Sequence, residues 1–121
     1  MIRGLGLFAL AMAAATPAAA CSCHPLPRSE IVRRADVVIE GTVAVVTEVR
    51  GRLQATIDVM RVEKGVPGSA ITVVTPALRE HCGIPLAVAQ RVTIAAFRDG
   101  PIFRTDLCSA LALRPDRSPQ R

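Results

Sequence analysis

VVIEGTVAVVTEVRGRLQATIDV, residues 37–59, is the stretch that decides the fold. Val37, Ile39, Gly41, Val43, Val45 and Val49 alternate with Glu40, Thr42, Ala44 and Glu48. A period of two marks a strand with one face turned to a core. Arg50-Gly51-Arg52 reads as the turn. Leu53, Ala55, Ile57 and Val59 then alternate with Gln54, Thr56 and Asp58 in a return strand.

Downstream, Lys64-Gly65-Val66-Pro67-Gly68 breaks the chain with two glycines and a proline. Ala70 to Thr75 is a third strand, β-branched at Ile71, Thr72, Val73, Val74 and Thr75. Pro76 to Pro85 reads as a loop carrying His81-Cys82-Gly83. Arg91 to Phe97 and Ile102 to Thr105 form a final hairpin around Asp99-Gly100. Upstream, Ser29 to Ala35 is expected as a short helix with Ser29 as N-cap and Asp36 capping or ending it. Cys21 to Pro27, with prolines at 25 and 27, is an extended lead-in. The expected fold is all-β: a five-stranded antiparallel OB-like barrel with one or two short helices, stabilised by disulfides. A barrel of that kind closes with about five strands, whereas a β-sandwich usually takes about seven or more.

The first twenty residues have the three parts of an export signal. Arg3 is the positive region, Leu5 to Ala15 is an uncharged apolar run, and Ala18-Ala19-Ala20 places small residues before Cys21. The run is shorter than the roughly 20 apolar residues that span a bilayer. The expected domains are a signal peptide at 1–20, one folded domain at 21–111 and a flexible tail at 112–121. Removing 20 residues from 121 leaves 101 and takes the net charge from +5 to +4 as Arg3 departs. The expected location is secreted or periplasmic, with no transmembrane segment in the mature chain. Bacterial lipoproteins are also cut before a cysteine, which is then acylated, so anchoring through Cys21 is the alternative. Ala18 stands where such sites usually carry Leu, and acylation would leave an odd number of thiols.

All four cysteines (Cys21, Cys23, Cys82 and Cys108) lie after the cleavage point. An even count in a small exported domain points to disulfides. Four cysteines allow three pairings, among which sequence alone does not choose. Of the fifteen basic residues, all but Lys64 are Arg, and they are scattered apart from Arg33-Arg34. Trp and Tyr are absent and the mature chain keeps only Phe97 and Phe103. That leaves no platform on which bases would stack, so no nucleic-acid partner is expected.

Cys21-x-Cys23-x-Pro25, Ala35-Asp36-Val37-Val38-Ile39, the Lys64-Gly65 turn, Cys82-Gly83 and Cys108 follow one another in a recognisable order. This set resembles the N-terminal domain of the tissue inhibitors of metalloproteinases, within the wider netrin-like family, from Cys21 to about Leu111. The resemblance implies an OB-like barrel with Cys21 bonded to Cys82 and Cys23 to Cys108. It also implies a protein-binding role, with a zinc metalloprotease as partner. The α-amine and carbonyl of Cys21 would chelate the target's catalytic zinc, Ser22 would enter its specificity pocket, and Cys23 would complete the wedge. The loop Leu78, Arg79, Glu80 and His81 would flank the cleft. No cofactor of its own is implied; zinc would be met only in the target. The chain departs from the family at Arg33, where a third disulfide would begin. No C-terminal domain like the family's is expected. The netrin-like family is not uniformly inhibitory, so a non-inhibitory envelope or interaction module is the alternative.

Other chemistries fit less well. Cys21, Cys23, His24, His81, Cys82 and Cys108 are potential metal ligands, but their spacings are not those of common structural zinc sites. The Cys-x-x-Cys of a redox pair is absent, and Cys21-Ser22-Cys23-His24 is one residue short of a haem attachment site. No Ser, Cys or carboxylate stands in a nucleophile setting, so enzymatic activity is not expected.

Overall fold

The computed structural model describes residues 4, 6, 21–24 and 26–112. The expected signal peptide, apart from Gly4 and Gly6, and the tail beyond 112 fall outside the described residues, as does Pro25. The described chain is mostly β. Its elements are α1 (Arg28–Arg34), β1 (Val37–Val49), β2 (Arg52–Lys64), β3 (Ala70–Pro76), β4 (Arg91–Asp99), β5 (Ile102–Arg104) and β6 (Ala110–Ala112). Short 3-10 turns occupy Arg79–His81 and Leu107–Ser109.

The six strands form one sheet in the order β1-β2-β3-β5-β4-β6, and β1 also pairs with β4. Pairing therefore runs in a ring, with β1 hydrogen-bonded to β2 on one side and to β4 on the other. The sheet differs from the sequence reading at two points. Ala110–Ala112 adds a sixth strand on β4. The β3–β5 pair is parallel, through Val73↔Phe103 and Val74↔Arg104, so the sheet is not wholly antiparallel.

The inward residues of this ring make one core, including Val37, Ile39, Val43, Ala55, Ile57, Val73, Ile84, Ile94 and Phe103. Val45 and Val49, expected to face it, are instead about half exposed at 52% and 48%. The cause is a bulge. Val43 pairs with Ile57 but Val45 with Thr56, so Ala44 is an extra residue. One extra residue reverses which side chains point inward. Val46, opposite the buried Ala55, therefore packs on the core in place of Val45.

Val38 breaks the alternation for a different reason. It is fully buried on the outer face, with Ala35 and Ala95, beneath Ile31 and Val32 of α1. The helix begins after Pro27 rather than at a Ser29 cap; no side chain caps it, and the Pro27 carbonyl accepts from the amides of Glu30 and Ile31. The proline supplies the preset φ that opens a first turn, and Ser29 falls inside that turn. Asp36 does not cap the helix either. Its carboxylate accepts from the Arg98 amide at 2.7 Å and its own amide donates to the Ala96 carbonyl, fastening β1 to β4. The helix ends under Lys64, whose Nζ donates to the Val32 and Arg33 carbonyls, each at 2.9 Å. A cation there satisfies carbonyls that have no partner within the helix.

Candidate functional site

The site expected from sequence combines the lead-in Cys21–Cys23 with the loop Leu78–His81. The lead-in has no regular structure and owes its position to covalent bonds. Cys21 is bonded to Cys82, with Cα atoms 5.0 Å apart, and Cys23 to Cys108, with Cα atoms 5.2 Å apart. This is the pairing that the resemblance implies. The bonds span 61 and 85 residues of sequence. Cys21 is half-buried, whereas Ser22, Cys23 and His24 are exposed. Ser22, between two anchored cysteines, therefore offers its side chain to solvent.

The loop is rigid for local reasons. The Cys82 amide donates to the Arg79 carbonyl and the Gly83 amide to the Leu78 carbonyl, which closes the 3-10 turn from both ends. Such a closure needs a left-handed residue, and Cys82 fills that place at φ 66°. A non-glycine residue there costs about 1–2 kcal/mol, and the disulfide to Cys21 holds it in place. Gly83 is required by close approach: a Cβ would overlap the Pro76 carbonyl and lie 2.8 Å from that of Leu78. The turn also leaves Leu78 about half exposed, at 53%, and Arg79, Glu80 and His81 exposed.

Further hydrogen bonds tie this loop to β3 and to the turn that carries Cys108. The Ile84 amide donates to Thr75 Oγ1 at 3.1 Å, inside the core. The Leu107 amide donates to the Cys82 carbonyl at 2.8 Å. Asp106 accepts from the amides of Cys108 and Ser109, setting the 3-10 turn that presents Cys108. Sequence reasoning missed Thr75, Asp106 and Lys64. Asp106 carried a readable signal, an Asp two residues before a cysteine in a non-strand stretch. Thr75 carried none, since its position in β3 already accounts for it.

The sulfurs of Cys21, Cys23 and Cys108 lie within 4.8 Å of one another. This is the only such cluster of potential ligands among the described residues, and His24, His81 and Cys82 are not part of it. All three sulfurs are in disulfides, and no cysteine among the described residues is free. Metals bind the thiolate, so the oxidised cluster offers them little. No family model matches the chain, and no curated protein matches it either. Among the described residues, no helix is long and apolar enough to cross a membrane.

Proposed function

We propose that this chain is an exported, OB-like barrel of the netrin-like type that binds a zinc metalloprotease through its mature N-terminus. One observation carries the reading: Cys21-Ser22-Cys23 is held by two disulfides, with Ser22 exposed. The ring of strand pairings, β1-β2-β3-β5-β4 and back to β1, supports the barrel. After cleavage before Cys21, the free α-amine and the Cys21 carbonyl would be two donors on one rigid residue. A catalytic zinc keeps an open position, usually held by water. The amine and carbonyl would take that position, and Ser22 would enter the neighbouring specificity pocket. Preordering by the two bonds removes chain entropy that binding would otherwise have to remove.

The amine must be unprotonated. Its ordinary pKa of about 7.7–8.0 makes that state accessible near neutrality. The exposed Leu78 and the polar Arg79, Glu80 and His81 would form the second contact. The partner is a protein, and the chain needs no metal of its own.

The test is intact-mass analysis of the exported chain followed by inhibition of a panel of zinc endopeptidases. The expected mass begins at Cys21 and is short by four hydrogens, two for each disulfide. An added lipid mass on Cys21 would overturn the wedge, as would a chain of the expected mass that inhibits no member of the panel.

A further inference from the structure

A second site lies on the outer face of β2, β3, β5 and β4, remote in sequence from the lead-in. Strand register aligns Gln54, Val74, Arg104 and Phe97 in one row across these four strands. A cleft of about 260 Å³ opens over this row between Arg52 on one side and Phe97 and Arg104 on the other. It shares Arg52, Val74 and Ile102 with a second cleft of about 460 Å³, which runs on to Arg50 beside the β1–β2 turn. Through these shared residues the two form one trough.

The arginines are arranged for a ligand rather than for the fold. The Arg104 guanidinium lies over the Phe97 ring, 5.9 Å from its centroid. Stacking of this kind occupies the face of the guanidinium and leaves its in-plane N–H donors available. The guanidinium of neither Arg52 nor Arg104 has a hydrogen-bond or ion-pair partner among the described residues. Of the two acidic residues in the lining, Asp106 is engaged by the amides of Cys108 and Ser109. Asp99 lines the first cleft beside Ile102, its register partner. The trough is thus cationic over Arg50, Arg52 and Arg104, apolar over Val74 and Ile102, and anionic at Asp99 and Asp106.

We infer that this trough binds an extended acidic peptide segment. Its carboxylates meet Arg52 and Arg104, and an intervening apolar side chain rests on Val74 and Ile102. The guanidinium fork matches a carboxylate with two parallel hydrogen bonds. Asp99 disfavours a compact, highly charged anion and accepts a peptide N–H. This site is independent of the zinc wedge, and either can fail without the other.

The probe is an acetylated, amidated peptide in which two glutamates flank a single leucine, titrated into the folded chain with its disulfides intact and followed by amide NMR. The expected result is saturable shifts at Gln54, Val74, Phe97 and Arg104, with none at Cys21–His24 or Arg79–His81. Arg52→Gln and Arg104→Gln, both on exposed side chains that leave the core untouched, each weaken binding about tenfold. The absence of shifts at millimolar peptide overturns the inference. So does equal binding of inorganic phosphate at the same amides, or binding that both variants leave unchanged.

Discussion

At the scale of single residues, the candidate site depends on two positions that carry no functional chemistry. Gly83 lets the loop pass against the Pro76 and Leu78 carbonyls. Gly83→Ala must push that backbone apart, and its expected cost is about 2–3 kcal/mol, at the upper end of ordinary single substitutions. Thermal unfolding of the purified variant measures this; an unchanged midpoint contradicts the account of the loop. Thr75 Oγ1 is the acceptor for the buried Ile84 amide. Thr75→Val keeps the shape but strands that amide, at an expected cost of about 1–3 kcal/mol. Denaturant unfolding checks it, with Thr72→Val on the half-buried outer face of the same strand as a near-neutral comparison. Cys82 and Gly83 could be picked out in the sequence, but the left-handed conformation of Cys82 could not. That conformation follows from the turn's two closing hydrogen bonds, whose partners lie within five residues but depend on the path of β3.

At the scale of elements, α1 is attached to the sheet by apolar contacts and by charge. Arg28 makes a two-pronged ion pair with Glu63 of β2, at 2.7 and 2.8 Å. Glu30 pairs with Arg33 and Arg34 within the helix. Hydrogen bonds from Arg33 and Arg34 hold the Glu30 carboxyl below its ordinary value of 4.5, and that from Arg28 does the same for Glu63. A carboxyl lowered in the folded state contributes stability above its unfolded value and loses it as pH falls through the folded one. The expected outcome is that α1 loosens as pH drops below about 4.5, before the sheet responds. Exposed ion pairs contribute little, so the effect is local. Amide exchange of Ile31 to Ala35 between pH 5 and pH 3, corrected for intrinsic rate, reads it, and Glu63→Gln should remove part of the change. The strand pattern of β1 and β2 was plain in the sequence. The bulge at Ala44 was not, because apolar residues at 43, 45, 46 and 49 satisfy either phase of the alternation. Only the pairing with β2 selects Val46 for the core and leaves Val45 outside.

At the scale of the whole molecule, the sheet has one principal core and the N-terminal segment is added to it by disulfides. Each bond closes a loop of 61 or 85 residues, for which chain entropy gives about 4 kcal/mol. Replacing Cys23 and Cys108 together by Ser should therefore lower unfolding free energy by about that amount, measured in urea, and loosen the lead-in at Cys23 while Cys21–Cys82 still anchors it and the sheet persists. The strand alternation and the even cysteine count were readable in the sequence, whereas the disulfide pairing came only as what the resemblance implies. The sixth strand was hidden because Ala110 to Ala112 is short and lacks β-branched residues, and gains its pairing only from the open edge of β4. The trough across β2, β3, β5 and β4 was hidden too, since its residues come from four strands that only the register brings into line.

In the proposed function, the α-amine of Cys21 is the group that meets the target's metal. The most direct measurement compares inhibition of a susceptible zinc endopeptidase by the chain beginning at Cys21 and by the same chain with one alanine placed before it. Both disulfides form in either protein, so stability and fold are expected to match. The account requires the extended chain to lose inhibition by at least about a hundredfold, some 2.7 kcal/mol, because the added residue fills the space of the zinc and turns the amine into an amide. Equal inhibition by the two chains would contradict it.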